Sequence, residues 1–475
     1  MVSSFIKSTI WSIAQRYLPS VLQIVATLVI TRMITPGDFG EVALVTTFNQ
    51  IAILLVSSGL GEGLMFKVDN SEIRYSSVFY FNLAVAGIIY VLLFFSSNYI
   101  ATFYNIPRLS ILIKVISINI LLYAASYLQR VIYQKNLNFK ILAFTSIIAT
   151  LIGSSIGLCL GFLGYGVWSI VILTLTINFL ETGILWVKSK WRPLLQFSWL
   201  EVKEILLYSL KILANNIIQV IYDNIYSLVI SKMLGFRSLG FFNRMQTVVY
   251  FSTTNFMYSI ESVFFPILCR NKNDENQIRD SYEKLLRIST LFTSFVLIIM
   301  ITLAHQIVII VLTDTWSEGI PILSMISIAF LFVPISYINN SFLKIGDKTK
   351  TLLYGNIVKK IIGLIILAVT ASWGDLEMIC KGIIVYYSID ALISMVLTHV
   401  YLKIKITDQI SYLRNNLLLG IIAIVFSFPT SLVDSVYVSF FLGLLIVFTV
   451  YAAGSVILKT KEYLIIKNIV LYSRP

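Results

Sequence analysis

Apolar runs long enough to cross a lipid bilayer recur along this sequence from end to end. A helix needs about 20 predominantly apolar residues to traverse the hydrocarbon core. Fourteen stretches answer to that length: 11–33, 39–58, 77–96, 109–129, 141–160, 166–187, 205–231, 240–265, 286–312, 321–342, 351–371, 382–401, 416–432 and 437–458. The thirteenth is short and contains Pro429. Charged residues make up only 12% of the chain and the mean hydropathy is +0.87, whereas soluble domains carry roughly 25% charged residues. Backbone polar groups inside a bilayer must be satisfied within their own segment, which leaves helices as the economical way to span. The expected fold class is therefore an all-α integral membrane protein of about fourteen transmembrane helices. The first run, preceded by Lys7, is too long for a signal-peptide core and no A-x-A cleavage site follows it, so it reads as a retained span.

Lysine and arginine orient these spans. With the N-terminus inside, the basic residues concentrate in the N-terminal segment and every second loop, as the positive-inside rule requires. Arg130, Lys135 and Lys140 fall inside, as do Lys188, Lys190, Arg192 and Lys203, and later Lys344, Lys348 and Lys350. The outside loops hold Arg32, Arg108, Lys232, Arg237 and Lys381. Both termini are thus expected in the cytoplasm. The net charge of +13 follows this distribution, so nucleic acid is not the expected partner. The outside loops are too short to fold into a domain. The inside segment KSKWRPLLQFSWLEVKE (188–204) mixes cations with Trp191, Phe197, Trp199 and Leu200, and reads as a half-helical linker lying along the inner interface. It divides the chain into an N-terminal lobe over 1–190, an interfacial linker over 191–204, a C-terminal lobe over 205–402, and a final pair of spans with a tail over 403–475. Cys159, Cys269 and Cys380 read as small buried hydrophobes, and His305 and His399 are too far apart to suggest a metal site.

Residues 28–40 read LVITRMITPGDFG and residues 228–240 read LVISKMLGFRSLG. Leu28, Val29, Ile30, Met33 and Gly40 recur as Leu228, Val229, Ile230, Met233 and Gly240, while Thr31 and Arg32 are matched by Ser231 and Lys232. Both passages are outer turns that join an odd span to an even one in the same orientation. This places two pseudo-symmetric six-helix lobes about an axis along the membrane normal, with two C-terminal helices added. Parallel repeats of this kind build transporters, with the substrate route at the repeat interface.

TRMITPGDFGEVALV resembles the first-loop signature of the polysaccharide-transport (O-antigen type) flippases of the multidrug/oligosaccharidyl-lipid/polysaccharide exporter superfamily. RVIYQKNLNFKILA, KWRPLLQFSW and NNIIQVIYDNIYSLVISKMLGFRSLGFFNRMQ resemble further family segments in the same order. The resemblance covers most of the first 270 residues and is weak beyond about 350. It implies an undecaprenyl-pyrophosphate-linked oligosaccharide moved from the inner to the outer leaflet of the bacterial cytoplasmic membrane, for O-antigen or capsule assembly. It implies no bound cofactor, with coupling to a proton or sodium gradient or to the membrane potential. The implied partners are the lipid-linked oligosaccharide, membrane lipids, and polymerase and chain-length proteins of the same pathway.

Charge inside hydrocarbon is costly, about 2.5–3.5 kcal/mol per central residue on insertion scales, so polar residues within the spans are the candidate site. Arg16, Gln23 and Thr27 share one helical stripe on the first span. Asn216, Gln219, Asp223 and Asn224 form another on the seventh, which also carries Lys211. Such stripes face water or another helix, because lipid cannot satisfy them. A cavity between the lobes lined by Arg16, Lys211, Arg244 and Lys359 would suit a pyrophosphate, with the amides suiting sugar hydroxyls. Asp223 and Asp390 are the candidate coupling carboxylates. The in-span tally of six cations (Arg16, Lys114, Lys211, Arg244, Lys359, Lys360) against three acids (Asp223, Glu261, Asp390) argues against the alternative of a multidrug or cation exporter of the same superfamily. An O-antigen polymerase, the other alternative, would act on the outer face through a large outside loop, and none is present. No phosphate-cradling G-x-x-x-x-G-K-[ST] loop occurs, which excludes ATP hydrolysis by this chain.

Overall fold

A computed structural model describes residues 2–57, 60–61, 64, 71–270, 274–346, 348–457 and 461–463, and the side chains of 2–10 and of several positions in 208–218 and 259–270 lie outside that description. Among the described residues the regular structure is helical throughout. The chain divides into two compact units, Met1–Gly240 and Phe241–Pro475. Twelve segments among the described residues are long and apolar enough to span a membrane. Two further helices, Trp199–Met233 and Gly235–Arg270, are 35 and 36 residues long.

The first unit is built from α1 (Val2–Thr31), α2 (Pro36–Ser57), α3 (Glu72–Phe103), α4 (Arg108–Ile116), α5 (Ile118–Lys135), α6 (Phe139–Phe162), α7 (Val167–Lys188) and α8 (Trp199–Met233), and ends within the first turns of α9 (Gly235–Arg270). Helix α1 lies on α6, α6 on α7, α7 on α5, and α5 on α3, while α8 packs on α2 and α3. Lipid tails are as apolar as leucine, so membrane helices gain little from apolar burial and associate through close backbone approach. Gly153, Gly157 and Gly161 form such a ridge on α6. A Cβ on Gly157 would stand 2.7 Å from the Cβ of Leu173 on α7, and one on Gly161 would stand 3.1 Å from the sulfur of Met33 after α1.

The repeated passage acquires a shape here. Ile30 and Ile230 are both fully buried. Thr31 donates to the Thr27 carbonyl at 2.5 Å and Ser231 to the Ser227 carbonyl at 2.7 Å, the same i−4 bond in each copy. Gly40 and Gly240 face one another, and a Cβ on either would collide with the backbone of the other passage, at Phe236 or Pro36. Lys232 donates to the Phe103 carbonyl at 2.5 Å and stands 3.7 Å from the centre of the Phe103 ring. Arg108 pairs with Asp38 and with Glu41 at 2.9 Å. These contacts fasten the ends of α2, α3 and α8 at the face that the charge pattern assigns to the outside.

The segment 189–198 is extended, and the helical half expected of it begins only at Trp199. Pro193 supplies no N–H to a helix, and two neighbouring N–H groups find partners elsewhere. Leu194 donates to Ser76 Oγ and Ser198 to Ser77 Oγ, each at 2.8 Å. Arg74 then pairs with Glu201 and, at 3.3 Å, with Glu204. The segment is thus a strap pinned across the start of α3.

The second unit contains the rest of α9, then α10 (Glu275–Thr302), α11 (Ala304–Val311), α12 (Ile320–Phe330), α13 (Val333–Ile345), α14 (Thr349–Ala371), α15 (Leu376–Leu402), α16 (Ile406–Ser427) and α17 (Val436–Ile457). Helix α14 packs on α15, α15 on α12 and α13, and α10 on α16. The tenth expected span is two helices, broken at 331–332 ahead of Pro334. The thirteenth begins ten residues earlier than its apolar run suggested. Gln409 and Asn416 lie buried in that helix, their amide N–H groups donating to the carbonyls of Met395, Ile404 and Arg287, which lets a polar start pack against neighbouring helices. Pro429 falls in the 3₁₀ turn Phe428–Leu432 that follows.

Candidate functional site

In the first unit each polar stripe keeps two of its side chains exposed. Arg16 and Gln23 are exposed on α1, Gln23 midway along the apolar segment Trp11–Thr31. The far side of α1 is committed to α6, where Trp11 meets Phe144 with ring centres 5.2 Å apart. Thr27, further up the stripe, is half-buried and donates to the Ile24 carbonyl at 3.0 Å. Gln219 and Asp223 are exposed on α8. The Gln219 amide donates to both Asp223 carboxylate oxygens, at 2.8 and 3.0 Å, which holds the acid in one orientation. Asn216 is half-buried, and Asn224 is half-buried with its amide spent on the Val220 carbonyl at 2.9 Å. The side chains of Lys211 and Asn215 lie outside the described residues. An exposed guanidinium, amide or carboxylate on a bilayer-spanning helix calls for water or a polar ligand, since hydrocarbon satisfies neither charge nor hydrogen bonds.

The second unit buries its candidates. Arg244 on α9 is 2% exposed. Lys359 on α14 is 3% exposed and stands 3.0 Å from Asp390 on α15. Its ammonium also donates to Ser394 at 2.6 Å, and the Ser394 hydroxyl in turn donates to the Asp390 carbonyl at 2.8 Å. The structure thereby joins two residues that the sequence had assigned to different tasks, one to anion binding and one to coupling. Lys359 and Asp390 neutralise each other across a helix pair.

Two ion pairs within the spans went unread in the sequence. Glu181, inside the apolar run of α7, pairs with Arg130 at 2.6 Å, and this guanidinium lies 5.8 Å from the Tyr123 ring. Its position in that run was the available signal, and with Glu41 inside the expected span 39–58 it brings the in-span acids to five. Glu261 on α9 accepts from Tyr337 and, at 3.0 Å, from Ser341, with the Lys344 ammonium 3.6 Å away. Nothing in the local sequence of α9 pointed to these three partners on α13.

The profile of the family described as "Polysaccharide biosynthesis protein" matches residues 29–321. A membrane protein from the cps region of Klebsiella pneumoniae is 23% identical over 400 residues, covering 82% of this chain and 81% of that protein. The teichuronic acid biosynthesis protein TuaB of Bacillus subtilis is 21% identical over 320 residues, 67% of this chain and 66% of TuaB. In three dimensions the lipid II flippase MurJ, in an inward closed conformation, superposes with a TM-score of 0.75 at 16% identity, covering 95% of this chain and 99% of MurJ. That likeness establishes a shared transporter fold. The profile match runs over more than half of the sequence and includes the first outer turn, the strap, the polar stripe of α8 and Arg244, and begins just after the stripe of α1; on it, the chain belongs to the polysaccharide biosynthesis protein family.

Proposed function

We propose that this protein is a flippase that moves undecaprenyl-pyrophosphate-linked oligosaccharide repeat units of O-antigen or capsule type from the inner to the outer leaflet of the bacterial cytoplasmic membrane by alternating access. The observation that carries the reading is the set of accessible polar side chains on spanning helices of the first unit. Arg16 offers a guanidinium to a pyrophosphate, and Gln23 and Gln219 offer amides to sugar hydroxyls. Asp223, held by Gln219, is the carboxylate placed to respond to a coupling cation. Family membership and the MurJ-like fold support the reading. The protein acts as a transporter and performs no covalent step on its cargo.

The test is genetic. In a strain whose surface polysaccharide depends on this gene, Arg16→Ala combined with Gln23→Ala should reduce export by tenfold or more while the protein still inserts at wild-type level. Each lost charge-assisted hydrogen bond to a buried phosphate removes about 1.5–3 kcal/mol. Wild-type polysaccharide at the surface of the double variant would reject this site.

A further inference from the structure

The face of the first unit that the charge pattern assigns to the cytoplasm carries a cleft of 710 Å³, lined among others by Tyr133, Asn136, Lys188, Lys190, Trp191 and Arg192. It lies between the α5–α6 turn, the end of α7 and the beginning of the strap. Arg192 is already engaged. It donates to the carbonyls of Ser189 at 2.5 Å, Trp191 at 2.8 Å and Trp186 at 2.8 Å, closing the end of α7 and covering the carbonyls that would repel an anion. Lys188 and Lys190 are exposed, and among the described residues neither has an ion-pair partner. The indole N–H of Trp191 is buried with no acceptor among the described residues. Glu72, in the first turn of α3, also lines the cleft and is the acidic counterpoint to the two lysines. Against that one acid the lining sets Lys188 and Lys190, with Tyr133 and Asn136 beside them.

The strap fixes the depth of this cleft. Leu195 is 96% exposed, and Phe197, Trp199 and Leu200 are more than half exposed on the same short segment. Apolar and aromatic side chains presented in that way beside lysines belong at a membrane interface, with the rings at headgroup level. Because Ser76, Ser77 and Arg74 pin the strap, the cleft beside it is preformed.

We propose that this cleft binds the phosphodiester headgroup of an anionic phospholipid of the inner leaflet, with Lys188 and Lys190 supplying the charge. Basic pockets between helices on the cytoplasmic side are suited to such headgroups. The proposal is independent of the cargo and of the site on α1 and α8.

The experiment uses the full chain purified in zwitterionic nanodiscs. Phosphatidylglycerol should raise the melting temperature and remain bound in native mass spectra, while phosphatidylcholine should not. Lys188→Gln with Lys190→Gln should weaken apparent lipid affinity by about tenfold to thirtyfold, and Lys188→Arg with Lys190→Arg should keep it, which also covers a glutamine variant that fails to fold. The matched pair Lys403→Gln with Lys405→Gln, on the second unit, should leave the affinity unchanged. Wild-type affinity in the Lys188/Lys190 glutamine variant, or an equal loss in the Lys403/Lys405 control, would overturn the assignment. So would stabilisation by inorganic pyrophosphate without any preference for the anionic lipid, which would give the cleft to a soluble phosphate.

Discussion

Lys359 and Asp390 lie on neighbouring helices with 3.0 Å between ammonium and carboxylate, and both are largely withdrawn from solvent. A buried pair of this kind contributes little over an apolar pair of the same volume, yet removing one partner strands the other, at a cost of about 3–5 kcal/mol. Lys359→Met should therefore lower the melting temperature of the purified protein sharply, and Lys359→Met with Asp390→Leu should restore most of it. A single variant as stable as wild type would show that the pair is not formed. The contrast with Arg16 and Gln23, both exposed on α1, explains why the sequence pointed to all these polar residues but could not sort them. Each stands out equally in an apolar run. What separates them is burial against a neighbouring helix, and the groups that Lys359 and Glu261 meet there, such as Ser394 and Tyr337, are distant in sequence.

Helices in this chain were legible from length and hydropathy, and their ends were not. α16 starts in a polar stretch because the amide N–H groups of Gln409 and Asn416 find neighbouring carbonyls. The strap stays extended because Ser76 and Ser77 take its N–H groups. Both outcomes depend on tertiary hydrogen bonds that periodicity cannot carry. The repeat was the better guide. Its shared glycines, Gly40 and Gly240, prove to be where two helices approach too closely for a side chain. The same physics governs α6. A valine at Gly157 would push into Leu173, whose Cβ lies 2.7 Å from the added atom. Gly157→Val should cost about 1–3 kcal/mol as overpacking, read as a lowered melting temperature. Gly183→Ala on α7, where an added Cβ meets nothing within 4 Å, should leave the melting temperature unchanged. Equal effects at the two positions would contradict this packing.

At the scale of the molecule, the composition announced a membrane protein and the repeat a transporter, and the apolar helices, the family match and the MurJ-like fold bear that out. The compact units meet at Gly240, beyond the strap that the sequence marks as the lobe boundary, because α8 packs on α2 and α3. Sidedness rests on the lysine and arginine distribution and has its own check. In a cysteine-free background, a cysteine at Tyr165, in the α6–α7 turn, should react with a membrane-impermeant maleimide in intact cells. One at Asn136, in the α5–α6 turn, should react only after permeabilisation, and the reverse pattern would invert the topology. The central claim is transport through the polar face of α1 and α8, and reconstitution tests it most directly. Proteoliposomes holding the protein and an undecaprenyl-pyrophosphate-linked oligosaccharide should transfer that lipid between leaflets well above the rate of protein-free liposomes. Arg16→Ala with Gln23→Ala should return the rate to that of protein-free liposomes. Transfer by the wild-type chain at the protein-free rate, or undiminished transfer by the double variant, would contradict the account.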